Sequence, residues 1–149
     1  MTRFMQHPEH YLHTHIPISQ AMGVRVDTAN DNLVTLTAPL KPNINHSETV
    51  FGGSAAAVAT LAAWTLIMFR MKSQELPGRL VIAGNTMKYR KPITGDFRAT
   101  ATAADLSDWA RFGEALARKG RGRIEARSRL FLDRTPVADF TGQFVAIVD

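Results

Sequence analysis

TVFGGSAAAVATLAAWTLIMF, residues 49–69, decides how this chain is read. The stretch holds no charged residue, and six alanines fall between Ala55 and Ala63. A membrane-spanning helix needs about 20 strongly apolar residues. The helical part here, residues 54–69, has sixteen and is rich in small side chains. It is therefore expected to be a helix buried on every side in a soluble protein, with no membrane partner. Ser54 is the expected N-cap. Arg70 and Lys72 sit at the far end, where cations complement the helix dipole.

Outward from the helix, the pattern changes to a period of two. Asn30-Asp31-Asn32 separates two extended runs, residues 24–29 and 33–38, and reads as a hairpin turn. Residues 39–48 are irregular and polar. Beyond the helix, Pro77-Gly78 is a turn, and residues 80–89 read as a long strand. Pro92 and Gly95 lead into a strand with Phe97, Ala99, Ala101 and Ala103 on one face and Arg98, Thr100 and Thr102 on the other. Residues 107–119 form a short amphipathic helix. Leu106, Trp109, Phe112 and Leu116 lie on one side, with Ser107 as cap and Gly120 as stop. Ile124, Ala126, Ser128, Leu130 and Leu132 alternate with Arg123, Glu125, Arg127, Arg129 and Phe131. After a turn at residues 133–135, residues 137–148 make the last strand.

A helix apolar all round needs cover on every side, and an antiparallel sheet wrapped around it supplies that cover. The expected class is α+β with this layout, the hotdog fold. A curled sheet still has open edges, so a homodimer, or a dimer of dimers, is the expected assembly.

The 149 residues are expected to form a single domain, 1–149, with residues 1–15 a loosely ordered N-terminal segment. Hydrophobic residues at 45% and charged residues at 21% exclude a disordered tail or a fibre. With no cysteine, disulfide scaffolds, thiol nucleophiles and zinc fingers are excluded together. The net charge of +5 favours anionic partners. Nucleic acid is not expected, because no recognition-helix pattern is present and the basic stripe is not interleaved with aromatics. The N-terminus has no apolar core of signal-peptide length, so a cytoplasmic location is the default. His7, His10, His13 and His15 cluster in the terminal segment, where an ordered metal site is not expected.

Chemistry concentrates in residues 42–54, a polar loop running into the start of the buried helix. A helix N-terminus presents free N–H groups and the positive pole of the dipole. Gly52 and Gly53 allow a ligand close approach to that backbone and would stabilise a developing oxyanion beside it. Asn43, Asn45, His46, Glu48 and Thr49 crowd before them. His46 is a candidate general base by its ordinary pKa, and Glu48 is the only acid in the loop.

PNIN (residues 42–45), then Thr49, then FGGS (51–54) and ATLAAW (59–64) resemble the YiiD-type C-terminal thioesterase-like domain family of the hotdog superfamily. Residues 83–95, AGNTMKYRKPITG, resemble that family's strand ending in Y-x-K/R-P-[IV]-[ST]-G. Residues 117–123 resemble its basic segment before the penultimate strand, so the resemblance runs from about Ile18 to the end. It implies a hotdog dimer acting on acyl-thioesters of coenzyme A or acyl carrier protein. No cofactor is implied beyond coenzyme A as part of the substrate. Many hotdog thioesterases carry an acid one to two turns into the buried helix. This chain has no acid between Glu48 and Glu75, and Thr60 stands near that place. Asn45 and Thr49 match the family pattern as groups that position the thioester or a water. Asn85 and Tyr89 share one strand parity and are expected to face the same cleft. Arg118, Lys119, Arg121, Arg123, Arg127 and Arg129 form a basic stripe, of which Arg121 and Arg123 are the expected phosphate anchors. The expected activity is thioester hydrolysis. The alternatives are a non-catalytic acyl-thioester-binding protein and, further off, a hotdog dehydratase.

Overall fold

The alternating strands sort their side chains onto two faces of one sheet, and the apolar face closes on the long helix. The computed structural model describes residues 2–103 and 105–149. Its strands are β1 (Arg25–Ala29), β2 (Leu33–Ala38), β3 (Arg79–Tyr89), β4 (Phe97–Thr102), β5 (Arg121–Leu132) and β6 (Thr135–Ile147). They form one six-stranded sheet in the order β1-β2-β4-β5-β6-β3, with every pairing antiparallel. The buried helix is α4 (Gly52–Ser73), and α5 (Leu106–Lys119) is the amphipathic one. This is the hotdog architecture expected from the sequence.

Small residues let helix and sheet approach closely. Val58, Ala59, Ala62, Ala63, Leu66 and Ile67 of α4 are fully buried, as are Val34, Leu36, Ala99, Ala101, Leu130 and Phe144 from the sheet. The Ser128 hydroxyl donates to the Ala59 carbonyl at 2.7 Å, tying β5 to α4. At the far end of α4, the buried Arg70 lays its guanidinium over the Trp109 ring, 5.0 Å from the centroid. It also stands 3.9 Å from the Asp31 carboxylate. α5 lies on β5 where Gly122 removes the obstacle: a Cβ there would stand 2.7 Å from the Phe112 carbonyl.

Both expected caps are corrected. Ser54 lies inside the first turn of α4; the N-cap is Phe51, which offers no side-chain acceptor. α5 is capped by Asp105 rather than Ser107. The Asp105 carboxylate accepts from the Asp108 N–H at 3.1 Å, and the Ser107 hydroxyl donates to it at 2.6 Å. A carboxylate also suits the positive end of the dipole better than a hydroxyl. Gly120 ends α5 in the left-handed conformation, with φ of 71°.

The N-terminal segment also differs from expectation. Instead of lying loose, residues 3–21 form α1 (Arg3–Gln6), α2 (Pro8–His15) and α3 (Pro17–Ala21). Phe4 and Leu12 are buried in the common core. The Phe4 ring packs edge-on against Tyr11 and Trp64 and tilted against Phe69, with centroids 4.8–6.2 Å apart. Helices this short carry too few turns for a legible period, and the contacts holding them lie 60 residues away in sequence, which is why they escaped the sequence reading. α2 also covers one edge of the sheet. The Glu9 carboxylate accepts from the Val26 N–H at 2.8 Å, and His13 Nε2 donates to the Val24 carbonyl at 2.7 Å. The opposite edge, β3, has no strand beyond it among the described residues and exposes Val81 and Ile82, with its Leu80 carbonyl taken by Trp64 Nε1 at 3.0 Å.

Candidate active site

Residues 43–51 fold back on themselves as a small hairpin before α4. The Phe51 N–H donates to the Asn43 carbonyl at 2.7 Å, and the Asn45 N–H to the Thr49 carbonyl at 2.8 Å. Asn43 is buried, and its amide donates to the carbonyls of Met22 and Pro39, both at 2.8 Å. Its amide N–H groups therefore brace the loop from behind, while its buried Oδ1 has no hydrogen-bond partner among the described residues.

Asn45 holds the hairpin from inside. Its Oδ1 accepts from the N–H groups of Ser47 (2.8 Å) and Thr49 (3.1 Å), and its Nδ2 donates to Thr49 Oγ1 at 2.9 Å. With both ends of the amide engaged, Asn45 sets the Thr49 hydroxyl, and the Thr49 O–H remains free to donate outward. Glu48 turns the hairpin with a left-handed backbone, φ 61°. His46 and Glu48 stand exposed at its tip and make no side-chain hydrogen bond or ion pair among the described residues.

The hairpin delivers the chain into α4 with the Gly52 and Gly53 N–H groups unpaired, as the first helical turn requires. Two aromatic rings frame them. The Tyr89 hydroxyl donates to the Gly52 carbonyl at 3.0 Å. The Phe51 ring lies over Gly53 so closely that a Cβ there would overlap it. Phe51 is 58% and Tyr89 56% exposed, so the helix start lies at the surface with apolar walls.

Beyond this start, α4 and β3 lie side by side. Asn85 and Tyr89 pair with Gly142 and Ala138, on the same face of the sheet as Leu80 and Ile82. The shared parity expected from the sequence holds, and both residues face the helix side. Further along, Ile18, Met22, Ala57, Thr60, Leu61, Trp64, Leu80 and Ile82 line an apolar groove of about 420 Å³, within the range of small-molecule sites. Trp64 Nε1 donates to the Leu80 carbonyl at 3.0 Å and closes its floor. The Thr60 hydroxyl is spent on the Ala56 carbonyl at 2.7 Å. No carboxylate lines the groove among the described residues. The sequence reading expected the helix to be buried on every side, whereas Ala57, Thr60 and Trp64 are only half-buried where they line this groove. The open edge at β3 leaves them uncovered, and no local pattern announces that.

Arg121 and Arg123 are not brought to this site within one chain. Arg121 pairs with Ile147 at the end of the sheet remote from Tyr89, and both arginines point to the outer face. Arg121 lies nine residues along β5 from Leu130, which is level with Tyr89, so the separation is about 30 Å.

The class the fold defines is the hotdog, here with the start of its central helix at the surface. The chain belongs to the family described as "Putative thioesterase (yiiD_Cterm)", whose pattern matches residues 5–148. It is 31% identical to a protein of unknown function from Chlorobaculum tepidum TLS, over 95% of this chain and 92% of that one, with a TM-score of 0.89. It shares its fold with the "putative thioesterase" from Shewanella oneidensis, at 24% identity over 99% and 100% of the two chains and a TM-score of 0.85. A "probable thioesterase" from Pseudomonas aeruginosa has the same fold, at 20% identity over 93% and 92% and a TM-score of 0.81.

Proposed function

We propose that the protein hydrolyses acyl thioesters of coenzyme A or of an acyl carrier protein. The observation that carries this reading is that one helix, α4, offers both an exposed N-terminus and, farther along, one wall of an apolar groove. The N–H groups of Gly52 and Gly53 are unpaired at that N-terminus, and the groove farther along α4 suits an acyl chain. With the chain in the groove, the thioester carbonyl lies at the helix start. Water attacks the carbonyl carbon, and the oxygen gains negative charge beside the Gly52 and Gly53 N–H groups and the positive helix pole. The Thr49 hydroxyl orients the water or the thioester, and Asn45 holds Thr49 in place. His46 and Glu48, at the tip of the same hairpin, are the groups available to take the proton. Asn85, on the same face as Tyr89, is the further polar group along the cleft.

The acting unit is a homodimer joined through β3. α2 covers the other edge of the sheet, whereas β3 offers unpaired backbone beside Val81 and Ile82. A second β3 running antiparallel would pair with that backbone and wall the groove on its open side.

The second reading is a protein that binds acyl thioesters without turning them over. It is favoured by the missing carboxylate: Thr60 occupies the groove and its hydroxyl is committed to the helix backbone. Release of free thiol from a panel of acyl-coenzyme A substrates of graded chain length separates the two. Steady turnover supports hydrolysis. Tight binding of a non-hydrolysable thioether analogue, with no thiol released from any substrate, supports the binding protein.

A further inference from the structure

The outer face of the sheet carries a second concentration of charge that the cleft does not use. Strand register places Lys88, Asp139, Arg129 and Thr100 in one row across β3, β6, β5 and β4. Arg127 and Thr141 stand in the row beside it, about 7 Å away. Together they line an open trough of about 480 Å³ with Arg90 at its rim. Four cations meet a single carboxylate there.

That carboxylate orders two of them. Asp139 Oδ2 accepts from Arg90 Nε at 2.5 Å, and Oδ1 accepts from Arg129 Nε at 2.8 Å. Both guanidiniums are thus gripped through Nε, and the terminal amino groups of each make no hydrogen bond to the described residues. The pair is held side by side with its outer N–H groups turned away from Asp139. Lys88 makes no ion pair among the described residues, and Arg127 has only an exposed Glu125 contact at 3.5 Å. The adjoining row is different in kind: Gln143 donates to Glu125 at 3.3 Å, and no such excess of cations builds up. Arg98 is likewise satisfied, over the Phe131 ring and on the Asp133 carbonyl.

We propose that this trough is a binding site for a phosphate-bearing small molecule, with the Arg90–Arg129 pair as its anion clamp and Lys88 and Arg127 completing the charge. Guanidinium forks match phosphate oxygens in geometry as well as sign, and the Thr100 and Thr141 hydroxyls offer further donors. A second copy of this face is a poor occupant, because it would bring four cations against four. A nucleic acid strand needs a longer basic track than four strands' width provides, about 14 Å. The trough also touches the cleft through β3. Tyr89, which holds the Gly52 carbonyl, lies between Lys88 and Arg90, which face the trough. The phosphate belongs either to the nucleotide end of a coenzyme A substrate or to a separate phosphorylated ligand.

Titration calorimetry at low ionic strength, with inorganic pyrophosphate as the probe, tests the site. The wild-type chain is expected to bind it, with an affinity that falls as salt rises. Arg90→Gln and Arg129→Gln should each weaken binding roughly ten-fold or more. Lys88→Gln, which breaks no contact within the described residues, should weaken it several-fold with an unchanged melting temperature. The pair Arg118→Gln and Lys119→Gln on α5 removes the same charge as the two trough arginines together and should leave binding nearly intact. No binding by the wild type at millimolar pyrophosphate overturns the proposal, as does an equal loss in the α5 control. Displacement of pyrophosphate by coenzyme A assigns the site to the substrate's nucleotide end. Binding that coenzyme A does not displace assigns it to a separate ligand. Turnover plays no part in this readout. A protein inactive on thioesters that binds pyrophosphate keeps the site, and an active one that does not bind loses it.

Discussion

Thr49 and Asn45 divide one task. Asn45 spends both ends of its amide inside the hairpin, and Thr49 receives one of those bonds while keeping its own O–H. Asn45→Ala should therefore act through Thr49. We expect Asn45→Ala and Thr49→Val to lower kcat by about 10²–10³-fold on one thioester substrate, the usual cost of losing a preorganised donor. His46→Ala should cost less, because His46 stands free at the exposed tip. Steady-state kinetics on variants with unchanged melting temperatures check the order. If His46→Ala is the dead variant, general-base catalysis replaces positioning as the main source of rate. Gly53 separates stability from activity in the same way. Alanine is the better helix former, by about 1 kcal/mol in a helix interior and less in a first turn, but its Cβ would displace the Phe51 ring. Gly53→Ala should hold or raise the melting temperature while lowering turnover. A variant with lower stability and full activity would contradict this account of the helix start.

Individual elements show which contacts hold the scaffold around the site. α1 is four residues long and is fastened by one ring, since Phe4 touches Tyr11, Trp64 and Phe69. Phe4→Ala should cost about 3–5 kcal/mol, read from urea denaturation. It should also loosen Trp64, whose indole lines the groove. The β5–β6 pair makes a pH-dependent contribution. Burial raises the Asp139 pKa, but hydrogen bonds and charge from Arg90 and Arg129 outweigh it and hold the carboxyl below its ordinary value. A carboxyl depressed on folding contributes stability above its unfolded pKa of about 3.9 and loses it as pH falls through the folded value. Asp139→Asn should thus be less stable than wild type at pH 7 by about 1 kcal/mol, because the partners are partly exposed. The gap should narrow progressively in denaturation curves recorded as pH is lowered beneath the ordinary carboxylate pKa of about 3.9. A gap of constant size across that range would mean the carboxylate charge is not what matters.

For the whole molecule, the two sheet edges differ, and the proposed homodimer rests on that difference. The β1 edge is covered by α2 through Glu9 and His13, and the β3 edge carries exposed Val81 and Ile82 beside unpaired backbone. Light scattering at micromolar concentration should give the mass of two chains or a multiple of it. Ile82→Lys, which sets a charge on the joining edge, should shift that mass toward one chain and lower turnover together. A folded, active wild-type monomer would remove the dimer and leave the groove open on one side.

Residues 49–69 alone carried most of the architecture. A run without charge and rich in alanine calls for burial, and strands alternating with period two can wrap it, because both periods are local properties of the chain; that one side of the helix stays half-buried at Ala57, Thr60 and Trp64 is not legible there. The same local logic brought the Gly52-Gly53 helix start and the inward parity of Asn85 and Tyr89 within reach of the sequence. What it could not supply was which side chains spend their polar atoms on the protein itself. Asn43 and Asn45 look like ligand-binding groups until Met22, Pro39 and Thr49 are seen to hold them. Arg121 and Arg123 read as phosphate anchors in a basic stripe, and only strand register shows that they lie at the end of the sheet remote from Tyr89. The Asp139 clamp joins residues 10 and 49 positions apart, and the Phe4 cluster reaches 65 residues along the chain. Parity is written in each strand, but register and long-range partners arise only when strands pair and helices pack, so the tertiary structure alone decides them.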